Sequence, residues 1–392
     1  MKVLLTTDTF YPMINGVVIS TNNLYEELRK FGHDVRILTL SEDGKERIDG
    51  DIYYLKSFNL NIYPGAKIKK PFNTEVSEHL LAWAPDIVHS QTEFSTMINA
   101  KYISWKLKVP HIHTYHTMYE DYLAYILKGK VLRPGAMRLL VRLLLNLLDK
   151  VIAPTEKVKK SLLDYGVKTD ISVIPTGIDL GNFQKSLSSE EITELKLKYN
   201  LHPKDKVILY LGRIAQEKNI DEIINMYEKI QREFSDLKLL IVGKGPYLDT
   251  LKAFAEEKNL NNKVIFTGMV PPDEVYKYYK LADIFVTAST SETQGLTYIE
   301  ALSSGVPVIC RYDPCIEGVI ENSKNGLVYK NEDDFIEAIK YIFSDDNCRY
   351  ELSNYCLSTA DKFSSYTFAK RIEELYKEVI SEKRISSQNH SA

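Results

Sequence analysis

A chain of 392 residues, 44% hydrophobic and 26% charged, has the composition of an ordinary globular protein and length for two domains with separate cores. The net charge of −3 gives no reason to expect a nucleic-acid partner, and no run of eighteen apolar residues is present, so no helical membrane span is expected. The charge is unevenly shared: residues 1–178 carry 23 Lys/Arg against 19 Asp/Glu, and the remainder carries 27 against 34. The first half is therefore the better candidate to face an anionic surface.

The chain opens on a short β-run, Lys2 to Thr7, whose apolar part is too short for a signal peptide. A turn through Asn15-Gly16 leads into an apolar-periodic helix to about Phe31 and then a strand from Asp34 to Leu40. Strand, helix and strand make a βαβ unit, so the first domain is expected to be doubly wound. Gly16 lets a ligand approach the backbone at the helix start, a site suited to an anion. Asp49-Gly-Asp51 sits in a polar stretch and reads as a surface turn, not a metal site.

Asp86 to Ser90 and His111 to Tyr115 read as further strands. Ligands in doubly wound sheets gather beyond the carboxyl ends of strands, which places Gln91, Glu93, His113 and His116 near a common cleft. Tyr119, Tyr122 and Ile126 follow at helical spacing, as core or as the lining for an acyl chain. Lys128 to Asp149 combines Lys128, Lys130, Arg133, Arg138 and Arg142 with a dense apolar series, Leu139 to Leu148. Such a basic amphipathic helix can lie in a membrane interface, or be buried with one solvated edge. The earlier stretch Asn59 to Lys70 adds Lys67, Lys69 and Lys70 among apolar residues, which favours the membrane.

Val151-Ile-Ala-Pro-Thr-Glu starts another βα unit, and the Pro/Gly turn Val173 to Asp179 reads as the end of the first domain. A charged helix from Leu187 to Asn200 leads to a new strand, Lys206 to Gly212, followed by Arg213 and Lys218. Strands ending in Gly243-Lys-Gly245 and Gly268-Met-Val270 come next, then Ala282-Asp-Ile-Phe-Val. The final helix is expected over about Tyr366 to Lys383, with a disordered polar tail from Ile385. The four cysteines, Cys310, Cys315, Cys348 and Cys356, fit no zinc spacing and read as free thiols of a reducing cytosol.

The stretch Ser289 to Gly305 organises the rest. Small polar residues run into Gln294 and Gly295, after which Leu296, Ile299 and Leu302 recur with helical spacing. Unpaired N–H groups at such a helix start attract phosphate. Glu292 precedes this turn and Glu300 lies about one helical turn beyond it. Two carboxylates would repel a phosphate, so each is better suited to a neutral diol, one on a sugar and one on a ribose. That combination reads as a site for a sugar nucleotide.

Glu292-x7-Glu300 with Gly295-Leu296, the pair Arg213 and Lys218, and His113-Thr-Tyr-His-Thr-Met-Tyr-Glu-Asp-Tyr122 together resemble the retaining glycosyltransferases of family four. The resemblance implies the α/β GT-B fold, two Rossmann-like doubly wound domains facing a central cleft. It places an acceptor-facing domain at 1–178, completed by the C-terminal helix at about 366–384, and the nucleotide-sugar domain at 179–365. It implies donor contacts from Gly16, Gly243, the main chain at Val270, Gln294, Gly295, Leu296, Thr297 and Glu300. His116, Glu292, Arg213 and Lys218 are the residues implied at the reacting centre, His116 against the transferred sugar and the two cations on the diphosphate. Fixed cations suit a leaving group whose charge grows, so no metal or other cofactor is implied. Family members are described with same-face attack, the donor phosphate taking the proton of the acceptor hydroxyl.

Val88 to Ser95, His113 to Tyr122 and Glu292 to Glu300 are similar to the branch of bacterial diacylglycerol glucosyltransferases, which use UDP-glucose. The polar Gln294, where an aromatic often stands in the wider family, is shared with that branch. The implied partners are a UDP-sugar, diacylglycerol and an anionic membrane surface, for a peripheral enzyme on the cytoplasmic face of the cell membrane. A transferase with a soluble sugar or wall-polymer acceptor, a GT-B epimerase acting on UDP-N-acetylglucosamine, and a non-catalytic membrane partner stay open as alternatives.

Overall fold

The computed structural model describes residues 1–13, 15–59, 67–68, 74–117 and 134–389. The chain divides into two compact units, residues 1–177 with 365–392, and residues 178–364.

The first unit contains β1 (Lys2–Thr6), α1 (Gly16–Lys30), β2 (Asp34–Leu40), β3 (Arg47–Asp49), β4 (Ile52–Leu55), the two-residue strands β5 (Phe58–Asn59) and β6 (Lys67–Ile68), α2 (Glu75–Trp83), β7 (Ile87–Ser90), α3 (Ser95–Leu107), β8 (His111–Thr114), α4 (Pro134–Leu145), β9 (Lys150–Ala153), α5 (Glu156–Asp164) and β10 (Ile171–Val173). Its main sheet has the order β10-β9-β8-β7-β1-β2-β4-β3. Every neighbouring pair is parallel except β3–β4, a hairpin in which Asp49 and Ile52 pair around Gly50. The Asp49-Gly-Asp51 turn is thus a hairpin tip, and Asp51 accepts a hydrogen bond from Tyr25 Oη at 3.1 Å.

Alternate residues of each inner strand enter different cores, because successive side chains of a strand point to opposite faces. Val3, Leu5 and Ile87 pack under α1, while Leu4 and Val88 join Trp83 and Ile103 on the other face. This two-sided burial is why the strands read as continuous apolar runs and not as alternating ones. The last helix (Ser365–Asn389) belongs to this unit and places Phe368, Ile372, Tyr376 and Val379 in the core with Val18, Leu24 and Leu28 of α1. It runs past the expected stop at about Lys383 and into the tail expected to be disordered from Ile385. The segment Ile385 to Asn389 contains no Gly or Pro to end the helix, and polarity alone does not break it.

The second unit contains α6 (Leu180–Gln184), α7 (Ser189–Lys198), β11 (Lys206–Leu211), α8 (Ile220–Ile230), β12 (Leu237–Val242), α9 (Leu248–Glu257), β13 (Val264–Gly268), α10 (Val275–Leu281), β14 (Ile284–Thr287), α11 (Leu296–Ser303), β15 (Val308–Arg311), β16 (Gly326–Tyr329), α12 (Glu332–Ser344) and α13 (Asp346–Ala360). Its six strands are all parallel, in the order β13-β12-β11-β14-β15-β16. The order reverses between β11 and β14, and a crevice for ligands opens beyond the carboxyl ends of such strands. In both Rossmann-like units the central strands are buried on both faces, and most of the candidate site residues lie at or beyond those ends.

Candidate active site

At the switch point of the second unit, the loop after β11 carries Arg213, Glu217 and Lys218, and the loop after β14 carries Glu292 to Gly295. The two loops are joined by Asn219 Nδ2, which donates to Ala288 O at 3.2 Å. Lys218 Nζ donates to Glu292 Oε1 at 2.5 Å, with the two side chains 13% and 22% exposed. Arg213 is paired through a guanidinium nitrogen with Glu217. The two cations read from the sequence as diphosphate ligands are therefore each held against a carboxylate.

Glycines keep the floor of this site low. A Cβ on Gly243 would stand 1.9 Å from Gly212 O, and one on Gly245 would stand 2.0 Å from Ile214 O. Only residues without a side chain let the ends of β11 and β12 approach so closely. Val270, two residues beyond β13, is half-buried and packs against the neighbouring core.

Gly295 is the residue at the head of α11, with a left-handed φ of +72° and no side chain to cap the helix. Tyr298 lies directly above it, and a Cβ there would stand 2.2 Å from Tyr298 Cε2. Gln294 is buried, and Leu296 and Thr297 are half-buried in the first turn. The helix dipole places partial positive charge at this end.

Glu300, one turn further on, accepts from Tyr279 Oη at 2.8 Å through its Oε2. Tyr279 is fixed by edge-on and tilted contacts with Phe183 and Phe285. Burial pushes the Glu300 carboxyl up to about 7, the tyrosine hydrogen bond opposing that rise. A carboxyl group that titrates near neutrality and has one oxygen already anchored is suited to bind a neutral diol with the other.

In the first unit, Gly16 is the first residue of α1, behind Asn15, whose Oδ1 accepts from Val18 N at 3.0 Å. Beyond β7 and β8, His116 Nε2 is 2.8 Å from Gln91 Oε1, and His113 Nε2 is 3.2 Å from Glu93 Oε1. His113 Nδ1 and His111 Nε2 are each 2.9 Å from Ser90 Oγ. Burial pushes the His116 imidazole down to about 3, so it is neutral at physiological pH and pairs with Gln91 as a neutral hydrogen-bonding group. The structure thus joins Gln91 to His116 and Glu93 to His113, as two pairs.

Residues 14–182 match Glycosyltransferase Family 4, and residues 191–363 match Glycosyl transferases group 1. An alpha-monoglucosyldiacylglycerol synthase of Streptococcus pneumoniae is 39% identical over 97% of this chain and 86% of its own length. The chain is a family-four glycosyltransferase. A second alpha-monoglucosyldiacylglycerol synthase, from Acholeplasma laidlawii, is 30% identical to this glycosyltransferase over 97% of the chain and 98% of its own length. Among solved structures, Anabaena HepE in complex with UDP has a TM-score of 0.75 at 16% identity, covering 96% of this chain and all of that one. Sucrose-phosphate synthase from Thermosynechococcus elongatus has a TM-score of 0.74 at 19% identity, over 97% of this chain and 99% of that one. At these identities the likeness shows the fold, which is GT-B.

The membrane-facing residues expected of this glycosyltransferase are only partly in view. Tyr119, Tyr122, Lys69, Lys70, Lys128, Lys130 and Arg133 lie outside the described residues, and Lys67 is described only as backbone of β6. The described helix of that stretch is α4, shorter than the segment Lys128 to Asp149 read as helical. Met137, Val141 and Leu145 are buried against α5 and β9, whereas Leu139, Leu140 and Leu143 are 46%, 40% and 55% exposed. Arg138 lies over the Tyr165 ring at 5.4 Å, and the Arg142 stem lies beside Gly166. The helix is apolar on two sides, one packed and one open. Among the described residues no helix is long and apolar enough to cross a membrane.

Two residues of the site went unread in the sequence: Glu217, the partner of Arg213, and Tyr279, the anchor of Glu300. Glu217 stands four residues after Arg213, a spacing that brings side chains together only where the chain turns helically. Tyr279 is one of five tyrosines between 247 and 298, and nothing local marks the one that reaches Glu300.

Proposed function

We propose that this glycosyltransferase moves glucose from UDP-glucose to the 3-hydroxyl of 1,2-diacylglycerol at an anionic membrane surface, with retention of anomeric configuration. The observation that carries the donor half is the arrangement around α11. Two carboxylates, Glu292 and Glu300, stand on either side of an uncapped helix start, and Lys218 reaches the first of them. In this reading Glu300 holds the ribose diol, Glu292 holds hexose hydroxyls, and the diphosphate lies on the α11 N-terminus with Arg213 and Lys218. Main-chain atoms at Val270 meet the uracil, Gly16 and Gly243 allow close approach, and Gln294, Leu296 and Thr297 line the turn. Positive charge facing the leaving diphosphate comes from side chains and the helix start, so in this reading the reaction needs no metal or cofactor.

The acceptor half is supported by the names of the two relatives, alpha-monoglucosyldiacylglycerol synthases that match over nearly the whole chain. It also fits the open apolar side of α4 beside Arg138 and Arg142, a surface for the inner face of the cell membrane. His116 contacts the hexose as a neutral hydrogen-bonding group.

Radiolabelled UDP-glucose and UDP-galactose, offered separately with diacylglycerol in anionic mixed micelles, test the reading. Label from UDP-glucose is expected in the organic phase, with an α-linkage by NMR. Label appearing only in a water-soluble product overturns the lipid acceptor, and preference for UDP-galactose overturns the hexose.

A further inference from the structure

The sheet of the first unit also reverses its order, with β1 flanked by β7 on one side and β2 on the other. The loops leaving β1 and β7 are locked together there. Gln91 N donates to Thr6 O at 2.8 Å, Asp8 N donates to Thr92 Oγ1 at 2.8 Å, and Thr96 N donates to Asp8 Oδ1 at 2.9 Å. Gln91 stands on this rigid base, only 1% exposed. Its Oε1 meets His116 Nε2, but its Nε2 has no hydrogen-bond partner among the described residues. Asp8 Oδ2, from the adjoining strand end, is likewise buried and unpartnered. A buried donor or acceptor left unmade costs about 1–3 kcal/mol, so two such atoms at a switch point mark capacity kept for a ligand.

We propose that Gln91 is a positioning residue that sets the tautomer of His116, and that the free end of its carboxamide binds a substrate hydroxyl. A carboxamide oxygen can only accept, so His116 carries its single proton on Nε2 and presents Nδ1 as an acceptor. Turning the amide over moves the proton to Nδ1 and frees the oxygen instead of the nitrogen, so in either orientation one end stays available. The ligand class follows from the neighbours. Asp8 and Glu93 disfavour an anion, whereas a neutral hydroxyl can accept from the amide and donate to a carboxylate. The hydroxyl belongs to the hexose or to the acceptor, and this part rests on the transferase reading above.

Long-range proton–nitrogen NMR on protein labelled at histidine tests the first half, the His116 signals being those lost in His116→Gln. Wild type is expected to show a neutral imidazole protonated on Nε2 from about pH 5 to about pH 8. Gln91→Leu removes the acceptor and is expected to shift the tautomer, while Gln91→Glu keeps it and raises the His116 pKa. An unchanged tautomer in Gln91→Leu overturns the positioning role.

Calorimetry with UDP and with UDP-glucose, together with the acceptor KM, tests the second half on Gln91→Leu and Gln91→Glu. If the hydroxyl is on the hexose, UDP-glucose binding weakens about tenfold while UDP binding holds. If it is on the acceptor, both donor affinities hold and the acceptor KM rises about tenfold. If all of these constants are unchanged, the hydroxyl site is wrong. Wild-type protein that binds no UDP-glucose refutes the transferase reading instead, and the NMR arm still decides the role of Gln91.

Discussion

Lys218 Nζ lies 2.5 Å from Glu292 Oε1, so the cation assigned to the diphosphate and the carboxylate assigned to the hexose hold each other. The pair spans 74 residues of sequence and joins the loops after β11 and β14. Both groups are mostly buried, and each offsets the desolvation of the other. In the proposed reading, donor binding exchanges this contact for two others, phosphate on Lys218 and hydroxyls on Glu292. Lys218→Ala removes a charge-assisted hydrogen bond and is expected to cost roughly 1.5–3 kcal/mol of transition-state stabilisation, seen mainly in kcat. Glu292→Gln releases Lys218 without deleting it. That variant is expected to bind UDP at least as tightly as wild type while transfer from UDP-glucose collapses. A near-wild-type turnover in Lys218→Ala rules the lysine out as a diphosphate ligand.

Glu300 gives the site a pH dependence with a definite sign. Its carboxyl is raised by burial to about 7, above an ordinary glutamate, so burying its ionised form costs stability. The donor-free protein is favoured through this group below the unfolded-state pKa, and that contribution is lost as pH rises through about 7, on the order of 1–3 kcal/mol. In the proposed reading the ribose diol is bound by the ionised form. UDP affinity is expected to fall as pH drops through about 7. Glu300→Gln is expected to raise the melting temperature of the donor-free protein at alkaline pH while weakening UDP and UDP-glucose equally. Uridine, which has no phosphate to titrate, separates the carboxyl from the ligand's own ionisation. Affinity for uridine that is flat across neutral pH sinks the ribose assignment.

Gly295 is required twice over, by a φ of +72° and by the Tyr298 ring that occupies the space of any Cβ. Gly295→Ala is expected to displace the first turn of α11 and to cost more than about 1 kcal/mol of stability, since both strain and overpacking act. UDP binding should fall further than stability does, because the displaced N–H groups are the proposed phosphate cradle. Shrinking the ring in Gly295→Ala/Tyr298→Leu relieves the clash but not the backbone strain, and a partial recovery of UDP affinity is expected. Isothermal titration on both variants distinguishes this from simple unfolding; UDP affinity unchanged in Gly295→Ala would show that the helix start does not hold the phosphate.

Much of this was legible in the sequence because the relevant signals are local. Continuous apolar runs such as Leu239 to Val242 mark strands buried on both faces, and Gly295 followed by Leu296, Ile299 and Leu302 marks the start of α11. Contacts over long sequence separation were not legible. Tyr279 to Glu300 and Gln91 to His116 depend on which strand ends lie side by side, and that is set by a sheet order no local pattern encodes. The stretch Lys128 to Asp149 was only half legible for a different reason. Its apolar residues outnumber what one buried face can use, so periodicity could not say which of them are packed. Met137, Val141 and Leu145 are, and Leu139, Leu140 and Leu143 are not.

Those open leucines give the membrane proposal its sharpest test. Leu139 and Leu143 are about half exposed on α4, one turn apart, with Arg138 and Arg142 beside them in sequence. Inserting the remaining surface of each leucine into the headgroup boundary is worth about 1 kcal/mol, so Leu139→Ser/Leu143→Ser is expected to weaken vesicle binding roughly tenfold or more. Arg138→Ser/Arg142→Ser removes charge instead, and its effect should appear on anionic vesicles, shrink with salt and vanish on neutral ones. Loss of the Arg138 contact with Tyr165 costs about 0.5–1 kcal/mol of stability, too little to unfold the unit. In both variants UDP affinity is expected to match wild type, because α4 belongs to the first unit and the proposed nucleotide ligands Arg213, Lys218 and Glu300 to the second. Vesicle sedimentation and UDP calorimetry on the same preparations decide the matter. Unaltered sedimentation in the leucine variant would leave the open face of α4 without a role in membrane docking.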